Sequence, residues 1–306
     1  MKKSMQKILI IKPSSLGDII HAMGIVASIK RQMNAQIDWV VKEEFASFLK
    51  SSSLVDNFLI FKRKKSLKNL LELRKQIRAC EYDYVLDMQG LFRSGMMTFW
   101  AKSKNKIGRK DSREFASLFY NSTIKLSEKK HAVDILSEFL PALGLEKTYD
   151  YPSFIVDENF CANIKNPIII FSDTRRPEKL WKYFKELCVT LLESGENVIL
   201  AGKESSFDPD SLNHYKNFYN YLGKTKLPEL PSLVAQAKAC VCNDSGPLHL
   251  SAIMQKISIG VFTATEPELY GPYPLSSAKN FAFMSENKDK DIEKILNAIN
   301  FGTLTK

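Results

Sequence analysis

Short apolar runs alternate with longer amphipathic stretches along most of this chain. The runs have the length of buried strands, and the stretches between them carry apolar residues at helical spacing. The predicted strands cover residues 7–12, 37–41, 84–89, 167–171, 197–202, 239–243 and 257–262. The predicted helices cover residues 18–33, 43–50, 66–79, 92–101, 132–143, 178–194, 229–238, 246–254 and 287–299. Because strands that are apolar on both faces belong to parallel sheets covered by helices, the pattern predicts an α/β fold.

The alternation restarts near residues 150–165, after "YDYPSF". We therefore predict two Rossmann-like domains with parallel sheets facing across a cleft, residues 1–160 and residues 161–306. The last helix is a candidate to pack back on the first domain. Ligands of such sheets bind beyond the carboxyl ends of the strands, so polar segments that follow strands are the first candidates for a functional site.

The composition is that of a folded globular protein, because 44% of the 306 residues are hydrophobic and 25% are charged. The five cysteines are scattered and odd in number, which indicates a reducing compartment, and Cys240 and Cys242 are predicted core residues. The amino terminus has only a four-residue apolar run, too short for a signal peptide, and no run has the length of a membrane span. The sequence therefore predicts a cytoplasmic location.

The net charge of +10 is concentrated in the first half of the chain. Residues 1–160 contain 27 Lys and Arg against 18 Asp and Glu, whereas residues 161–306 contain 17 against 16. Much of the excess lies in residues 61–78 and 102–113. Two basic stretches in one half indicate an anionic partner: nucleic acid, an anionic membrane surface or an acidic substrate. No RRM, KH or zinc-finger signature accompanies them, which disfavours nucleic acid.

The common nucleotide and metal motifs are missing or misplaced. No G-x-G-x-x-G follows a first strand, and "YLGKT" (221–225) has Phe218 where a P-loop requires glycine. Asp208 and Asp210 flank a proline in a polar loop, so we predict a turn there. The four histidines are well separated, and no metal site is predicted.

The segment "VCNDSGPLHL" (241–250) is a strand end followed by a helix start. Asp244 and Ser245 suit a helix N-cap, and Gly246 allows a close approach to the backbone. The N–H groups at such a helix start attract phosphate. A capped turn without a ligand explains the same residues, so both interpretations stay open on this segment alone.

A similar junction, "KPSSLGDIIH" (12–21), follows the first strand. Ser14, Ser15 and Gly17 suit a tight turn, and Asp18 stands at the start of the helix. Asp18 is either a favourable acid in the first helical turn or a general base facing the cleft.

A third junction, "SDTRRPEKLW" (172–181), follows the first strand of the second half. Thr174, Arg175 and Lys179 have the side chains to bind phosphate there. The first turn of a helix explains Thr174 and Pro177 equally well.

Taken together, the three junctions resemble glycosyltransferase family 9, the ADP-heptose:lipopolysaccharide heptosyltransferases, which have the GT-B fold. Further matching segments are "DWVV" (38–41), "DMQG" (87–90), "REFASLFYN" (113–121) and "HAV" (131–133). The resemblance spans nearly the whole chain, and the combination in this order is far more specific than any one segment.

The resemblance implies an inverting transferase that moves L-glycero-D-manno-heptose from ADP-L-glycero-β-D-manno-heptose to the Kdo residue of Kdo-lipid A. It implies no required cofactor or metal, no nucleic-acid partner, and a peripheral location on the cytoplasmic face of the inner membrane. Transfer to an already heptosylated core is the alternative within the family. A GT-B-like nucleotide-sugar epimerase, and a binding module for anionic lipid or nucleic acid, are the alternatives outside it.

The resemblance also implies roles for individual residues. Asp18 would be the catalytic base, and Lys179 the counter-ion of the leaving diphosphate. The implied donor-binding residues are Ser14, Gly17, Thr174, Arg175, Lys179, Glu204, Asp244, Ser245, Gly246, Pro247 and His249. The implied acceptor-binding residues are Lys62, Arg63, Lys64, Lys65 and Arg113. Glu204 is the acid nearest to the place where the family holds the nucleotide ribose, and Ser245 keeps the hydroxyl of the family's usual threonine.

Overall fold

The computed structural model describes residues 5–62, 66–128 and 131–304. The chain divides into two compact units, Met1–Phe154 and Ile155–Lys306. The division lies six residues before the domain boundary expected from the sequence. Within the described residues each unit contains a six-stranded sheet in which every strand pairing is parallel. The α/β prediction is confirmed.

The first unit is built around a sheet with helices on its faces. Its strands are β1 (Gln6–Ile11), β2 (Ala35–Lys42), β3 (Asn57–Phe61), β4 (Tyr84–Asp87), β5 (Lys106–Gly108) and β6 (Ser122–Thr123). Its described helices are α1 (Leu16–Gln32), α2 (Glu43–Leu49), α3 (Leu67–Arg78), α4 (Phe92–Trp100), α5 (Ala132–Ser137) and α6 (Phe139–Ala142), with a 3₁₀ turn at Ala116–Phe119. The strand order is β3-β2-β1-β4-β5-β6, which places β1 and β4 side by side at the centre.

The apolar runs of this unit form strands because both faces of its sheet are covered. Residues 8–11 of β1 are fully buried, which accounts for four consecutive aliphatic residues without polar alternation. Leu9, Val40 and Val85 come from three neighbouring strands and pack with Leu73 and Ile77 of α3. The central strands are therefore rigid supports for the polar residues that follow them.

The second unit repeats this plan. Its strands are β7 (Ile168–Phe171), β8 (Val198–Ala201), β9 (Phe218–Asn220), β10 (Ala239–Asn243), β11 (Ile257–Phe262) and β12 (Asn280–Met284). Its described helices are α7 (Phe184–Glu193), α8 (Leu230–Ala235), α9 (Gly246–Ile253), α10 (Pro267–Tyr270) and α11 (Lys288–Leu304), with 3₁₀ turns at Pro177–Lys179, Pro209–Leu212 and Leu227–Glu229. The order β12-β11-β10-β7-β8-β9 places β7 beside β10, just as the first and fourth strands are neighbours in the first unit.

The last helix, α11, packs on the sheet of its own unit. Ile295, Ala298 and Ile299 belong to the same buried cluster as Val241 of β10 and Ile259 of β11. These buried residues recur at helical spacing, so one face of α11 covers the sheet. The predicted helix at 287–299 is thus part of the second core.

All seven predicted strands are present, and the described residues form five further strands that were not predicted, β3, β5, β6, β9 and β12. Strands β5, β6 and β9 have only two or three residues each, too few to show a periodic pattern. Strands β3 and β12 lie at sheet edges and are partly exposed. These strands were therefore not predicted because they are short or partly exposed.

The prediction of one continuous helix over 178–194 is wrong. A 3₁₀ turn covers Pro177–Lys179, and α7 begins only at Phe184. The backbone N–H of Trp181 donates to Oδ1 of Asn243, at the end of β10, at 2.9 Å. In a continuous helix it would instead donate to the carbonyl of an earlier helical residue. The turn prediction at Asp208 is confirmed, because its carboxylate accepts the N–H of Asp210 at 3.1 Å.

Candidate active site

In each sheet the chain reverses its direction of winding between the two central strands, which is where ligands of such sheets bind. In the first unit Lys12 directly follows β1, and Asp87 is the last residue of β4. The helix α1 begins four residues after Lys12 and carries Asp18 in its first turn. The topology therefore brings the predicted catalytic base to the expected edge of the sheet.

Asp18 is held by the turn that precedes its helix. Its Oδ2 atom accepts both the backbone N–H of Ser15 at 3.0 Å and the Ser15 hydroxyl at 2.6 Å. Its Oδ1 atom lies 3.4 Å from Nζ of Lys12. Burial alone would raise the pKa of Asp18, but the Lys12 charge and the two bonds from Ser15 outweigh it and hold that pKa well below its usual range. The carboxylate is therefore ionised, with 44% of its side chain exposed.

Lys12 is a buried cation that the sequence did not single out. Its side chain is 2% exposed, and burial lowers the pKa of its ammonium, with the Arg109 charge acting in the same direction. The carboxylates of Asp18 and Asp87 act in the opposite direction and support the charged form. A lysine directly after four consecutive aliphatic residues is the signal that could have drawn attention to it.

Asp87 is the second buried acid at this edge. Its Oδ1 atom accepts the N–H groups of Gln89 and Gly90 at 2.9 and 3.0 Å, and its Oδ2 atom accepts the Tyr120 hydroxyl at 2.8 Å. Gly90 has a φ of +71°, which glycine adopts without strain. Burial raises the pKa of Asp87 in spite of these bonds. Asp87 thus fixes the loop after β4, although the matching segment "DMQG" carried no predicted role.

A pocket of about 320 Å³ lies in the first unit beside the turn that holds Asp18. Pro13 and Ser14 contribute the turn, and Phe92 and Arg93 contribute the start of α4. Its lining residues are Pro13, Ser14, Lys42, Phe61, Gln89, Leu91, Phe92, Arg93, Ser94, Met97 and Glu114. Gly17 is buried inside α1, so of the two donor candidates in this unit only Ser14 lines the pocket.

The acceptor candidates are placed only in part. Lys62 is half exposed, and its Nζ lies 4.0 Å from Oε1 of Glu43. Arg113 is exposed, and its backbone N–H donates to the carbonyl of Gly90 at 2.9 Å, next to the loop that Asp87 fixes. Arg63, Lys64 and Lys65 lie outside the described residues.

In the second unit, Asp244 follows β10 and forms an ion pair with Lys179. The Thr265 hydroxyl also donates to Oδ2 of Asp244, at 2.6 Å. Both charged side chains are largely buried, at 7% and 14% exposure. The Lys179 ammonium lies 5.8 Å from the centroid of the Tyr270 ring. The structure therefore brings together two predicted donor residues and adds two that were not predicted.

Asn243 explains why Lys179 reaches Asp244. Its side-chain amide donates to the carbonyl of Ser172 at 3.0 Å and accepts the N–H of Trp181 at 2.9 Å. It ties the end of β10 to both ends of the segment 172–181. Thr174 and Arg175 lie on this segment, and the Thr174 hydroxyl accepts the N–H of Arg176 at 3.4 Å.

The start of α9 has a polar atom without a described partner. Ser245 is the N-cap residue, but its hydroxyl makes no capping bond. Its Oγ is buried and has no hydrogen-bond partner among the described residues. Gly246 and Pro247 open the helix, and His249 is buried in its first turn. The buried Ser245 hydroxyl, the N–H of Gly246 and the Lys179 ammonium form a set of donors that suits an anionic oxygen.

Glu204 lies at the same edge of the second sheet. It follows β8 and is exposed, and its backbone N–H is bonded to the carboxylate of Asp173, whose pKa burial raises. Glu204 therefore follows the strand next to β7, the strand that leads to Thr174. Its carboxylate faces solvent, where a ligand hydroxyl can reach it.

Metal-binding clusters and membrane-spanning helices are both absent from the described part of the chain. No three His, Cys, Asp or Glu side chains there are grouped so that they could hold a metal ion. None of the helices in that part is both long and apolar enough to cross a membrane.

Comparison with known proteins shows the family and the fold of this chain. The sequence profile of glycosyltransferase family 9 (heptosyltransferase) matches residues 70–299. Lipopolysaccharide heptosyltransferase 1 of Campylobacter coli is 30% identical over 295 residues, which cover 85% of this chain and 84% of that protein. The protein of the same name from Escherichia coli K12 is 27% identical over 289 residues, covering 87% and 91%. The structure of E. coli heptosyltransferase WaaC with ADP is similar, with a TM-score of 0.80 at 24% identity, over 96% of this chain and 99% of that one. The fold is thus of the GT-B type.

Proposed function

Since the chain belongs to glycosyltransferase family 9, we propose that it transfers L-glycero-D-manno-heptose from ADP-heptose to the Kdo residue of Kdo-lipid A. The two curated relatives named above are both called lipopolysaccharide heptosyltransferase 1, which supports this acceptor over an already heptosylated core. The observation that carries the proposal is the ionised Asp18 carboxylate, held at the edge of the first sheet with part of its surface exposed.

Asp18 acts as the general base in this proposal. The acceptor hydroxyl passes its proton to Oδ1, because Oδ2 is occupied by two bonds from Ser15. The acceptor oxygen forms a bond to the anomeric carbon of heptose while the bond from that carbon to the β-phosphate oxygen breaks. The electron pair of the broken bond leaves with ADP. One displacement from the opposite face inverts the anomeric centre.

Lys179 and the start of α9 receive the leaving diphosphate. An ammonium has three N–H donors, so Lys179 can bond to Asp244 and to a phosphate oxygen at the same time. The Ser245 hydroxyl, which has no partner among the described residues, and the N–H of Gly246 supply further donors. Donors that are in place before the reaction stabilise the charge that develops on the leaving group. Thr174, Arg175, Glu204 and His249 complete the proposed donor site.

The acceptor is bound by the first unit. Its excess of positive charge, with Lys62 and Arg113 near the pocket loops, suits the carboxylate of Kdo and the phosphates of lipid A. Because lipid A is anchored in a bilayer, the enzyme works as a peripheral protein at the cytoplasmic face of the inner membrane.

The direct test is incubation of the purified protein with ADP-heptose and Kdo-lipid A, followed by mass spectrometry of the lipid. We expect a mass gain of one heptose residue and release of one ADP for each transfer. A heptosylated core in place of Kdo-lipid A should react more slowly, and faster reaction would assign the alternative acceptor. Conversion of ADP-heptose without any acceptor would contradict the proposal and favour an epimerase or a hydrolase.

A further inference from the structure

Large apolar side chains are exposed on one part of the first unit. They lie on α4 and on the 3₁₀ turn at residues 116–119 with the residue before it. Phe99 is 64% exposed, Phe115 is 79% exposed and Leu118 is 78% exposed. Single exposed apolar residues need no explanation, but several together mark an interaction surface.

The turn that carries Phe115 and Leu118 packs on α4 through the ring of Phe119. The ring of Phe119 lies 5.6 Å from that of Phe92 and 6.0 Å from that of Phe99, measured between centroids. A Cβ atom at Gly95 would lie 2.5 Å from the Phe119 ring, so the glycine allows the turn to pack directly on α4. We call Phe92, Phe99, Phe115, Leu118 and Phe119 the aromatic face.

Positive charge surrounds the aromatic face. Residues 92–125 contain eight Lys and Arg against two Asp and Glu. The Lys106 ammonium lies 5.7 Å from the centroid of the Phe99 ring and donates to the carbonyl of Phe99 at 3.1 Å. The guanidinium of Arg93, next to Phe92, lies over the ring of Phe61 at 5.7 Å. Aromatic side chains bordered by cations match the headgroup region of an anionic bilayer, which has an apolar interior and a negative surface.

The aromatic face also adjoins the pocket beside Asp18. Phe92 belongs to both, and Arg93 and Glu114 of the same segments line the pocket. A lipid-linked sugar can therefore enter the pocket while its acyl chains stay in a bilayer that contacts the aromatic face. This step rests on the proposed function, in which the acceptor is a lipid.

We propose that the aromatic face docks the protein on an anionic lipid bilayer. Phe99, Phe115 and Leu118 enter the headgroup region, and basic side chains beside the aromatic face, such as Lys106, contact lipid phosphates. Apolar burial and attraction of basic residues act together, as reversible membrane binding requires.

The test measures binding to vesicles without ADP-heptose or acceptor. The full-length protein is sedimented with vesicles of phosphatidylglycerol and phosphatidylethanolamine, and with neutral phosphatidylcholine vesicles. We expect binding to the anionic vesicles that weakens as salt increases. The variant Phe115→Ser/Leu118→Ser should bind them at least tenfold more weakly. The matched control Ile155→Ser/Leu275→Ser removes two exposed apolar side chains of the second unit and should bind like the wild type.

Several results would overturn the inference. One is equal binding by the aromatic-face variant and the wild type, and another is an equal loss of binding in the control. A third is a variant of the aromatic face that changes its oligomeric state, measured by analytical ultracentrifugation, but binds vesicles as the wild type does. That result would show that the aromatic face contacts another protein molecule instead of a bilayer.

Membrane docking and the proposed function can be contradicted by different results. Transfer of heptose to a soluble, deacylated Kdo acceptor together with no vesicle binding would contradict docking alone. Vesicle binding that the aromatic-face variant loses, together with no transfer to any Kdo acceptor, would support docking and contradict the function.

Discussion

Lys12 and Asp18 form a buried-to-exposed ion pair across the first turn of α1. The ammonium is 2% exposed and lies 3.4 Å from Oδ1 of a carboxylate that is 44% exposed. Lys12 thus supplies a fixed charge from inside the protein, while Asp18 keeps a surface that a hydroxyl can reach. The Asp18 carboxylate is therefore ionised at neutral pH, and its contacts with Lys12 and Ser15 fix its orientation.

Asp18→Asn should abolish most of the turnover and leave donor binding intact. The amide has no lone pair basic enough to take the proton, so kcat should fall by about 10²–10⁴-fold. The fold should survive, with a loss of about 1–2 kcal/mol because Lys12 loses its partner at a partly exposed site. Single-turnover kinetics and ADP titration calorimetry measure the two effects. A folded variant that keeps most of the wild-type single-turnover rate would show that another group is the base.

Lys12→Met should move the acid limb of the pH profile of kcat/KM to higher pH. Lys12 is the main charge that lowers the pKa of Asp18, so without it that pKa lies higher, because burial is then opposed mainly by the two bonds from Ser15. Because the base must be unprotonated, the rate then falls at a higher pH on the acid side, by about 1 unit or more. Lys12→Arg keeps the charge and should keep the wild-type limb. An unchanged limb in Lys12→Met, with the protein folded, would limit Lys12 to a structural role.

Ser245→Ala should weaken ADP binding without destabilising the protein. An N-cap serine that makes its capping bond contributes about 0.5–2 kcal/mol, but the Ser245 hydroxyl makes none. Removing a buried hydroxyl without a partner is nearly neutral for stability, whereas losing its bond to a charged phosphate costs about tenfold or more in affinity. Thermal unfolding and ADP calorimetry test this. A large drop in Tm with unchanged ADP affinity would favour the capped turn without a ligand.

Lys179→Met should weaken ADP affinity by about 10-fold to 100-fold, because a charged donor to the diphosphate is lost. It should also lower Tm, since Asp244 is left largely buried without its cation. The matched control is Lys182→Met, an exposed lysine three residues away. Equal losses of ADP affinity in both variants would indicate a general effect of charge and not a specific contact.

Lys62→Glu should raise the KM for the acceptor by about 3–10-fold and leave ADP affinity unchanged. Lys62 is exposed in the first unit and weakly paired with Glu43, so reversal adds repulsion toward an acidic acceptor without disturbing the core. Steady-state kinetics at two salt concentrations measure the effect, which should shrink at high salt. Lys185→Glu, an exposed lysine of the second unit, controls for net charge. A KM equal to the wild type would remove Lys62 from the acceptor site.

The local sequence predicted those strands and helix starts that depend on a few neighbouring residues. The apolar run of β1 predicted a strand, and the turn residues before Asp18 predicted a helix start, because both signals act over a few residues. The start of α7 could not be predicted in this way. It depends on Asn243, which is 62 residues away from Trp181 and takes its N–H.

The charged groups that surround Asp18 likewise could not be predicted from the local sequence. The sequence predicted that Asp18 follows the end of the first strand. It did not show that Lys12 is buried, or that the charges of Asp87 and Arg109 shift the pKa of Lys12. These groups follow three different strands, β1, β4 and β5, and meet only because those strands are neighbours in the sheet. Likewise, Ser245 looked like an ordinary cap, and only the folded backbone shows that its hydroxyl is not used for capping.

The shared strand order of the two sheets also bears on how such a protein can diverge. Each unit has its own core, and its own pair of central strands carries the polar residues at its edge. Under the proposed division of labour, substitutions at the acceptor residues Lys62 and Arg113 can change which acceptor is glycosylated, while the donor residues Lys179, Asp244 and Ser245 of the second unit stay the same. Under this proposal, acceptor specificity can evolve separately from ADP binding within one chain.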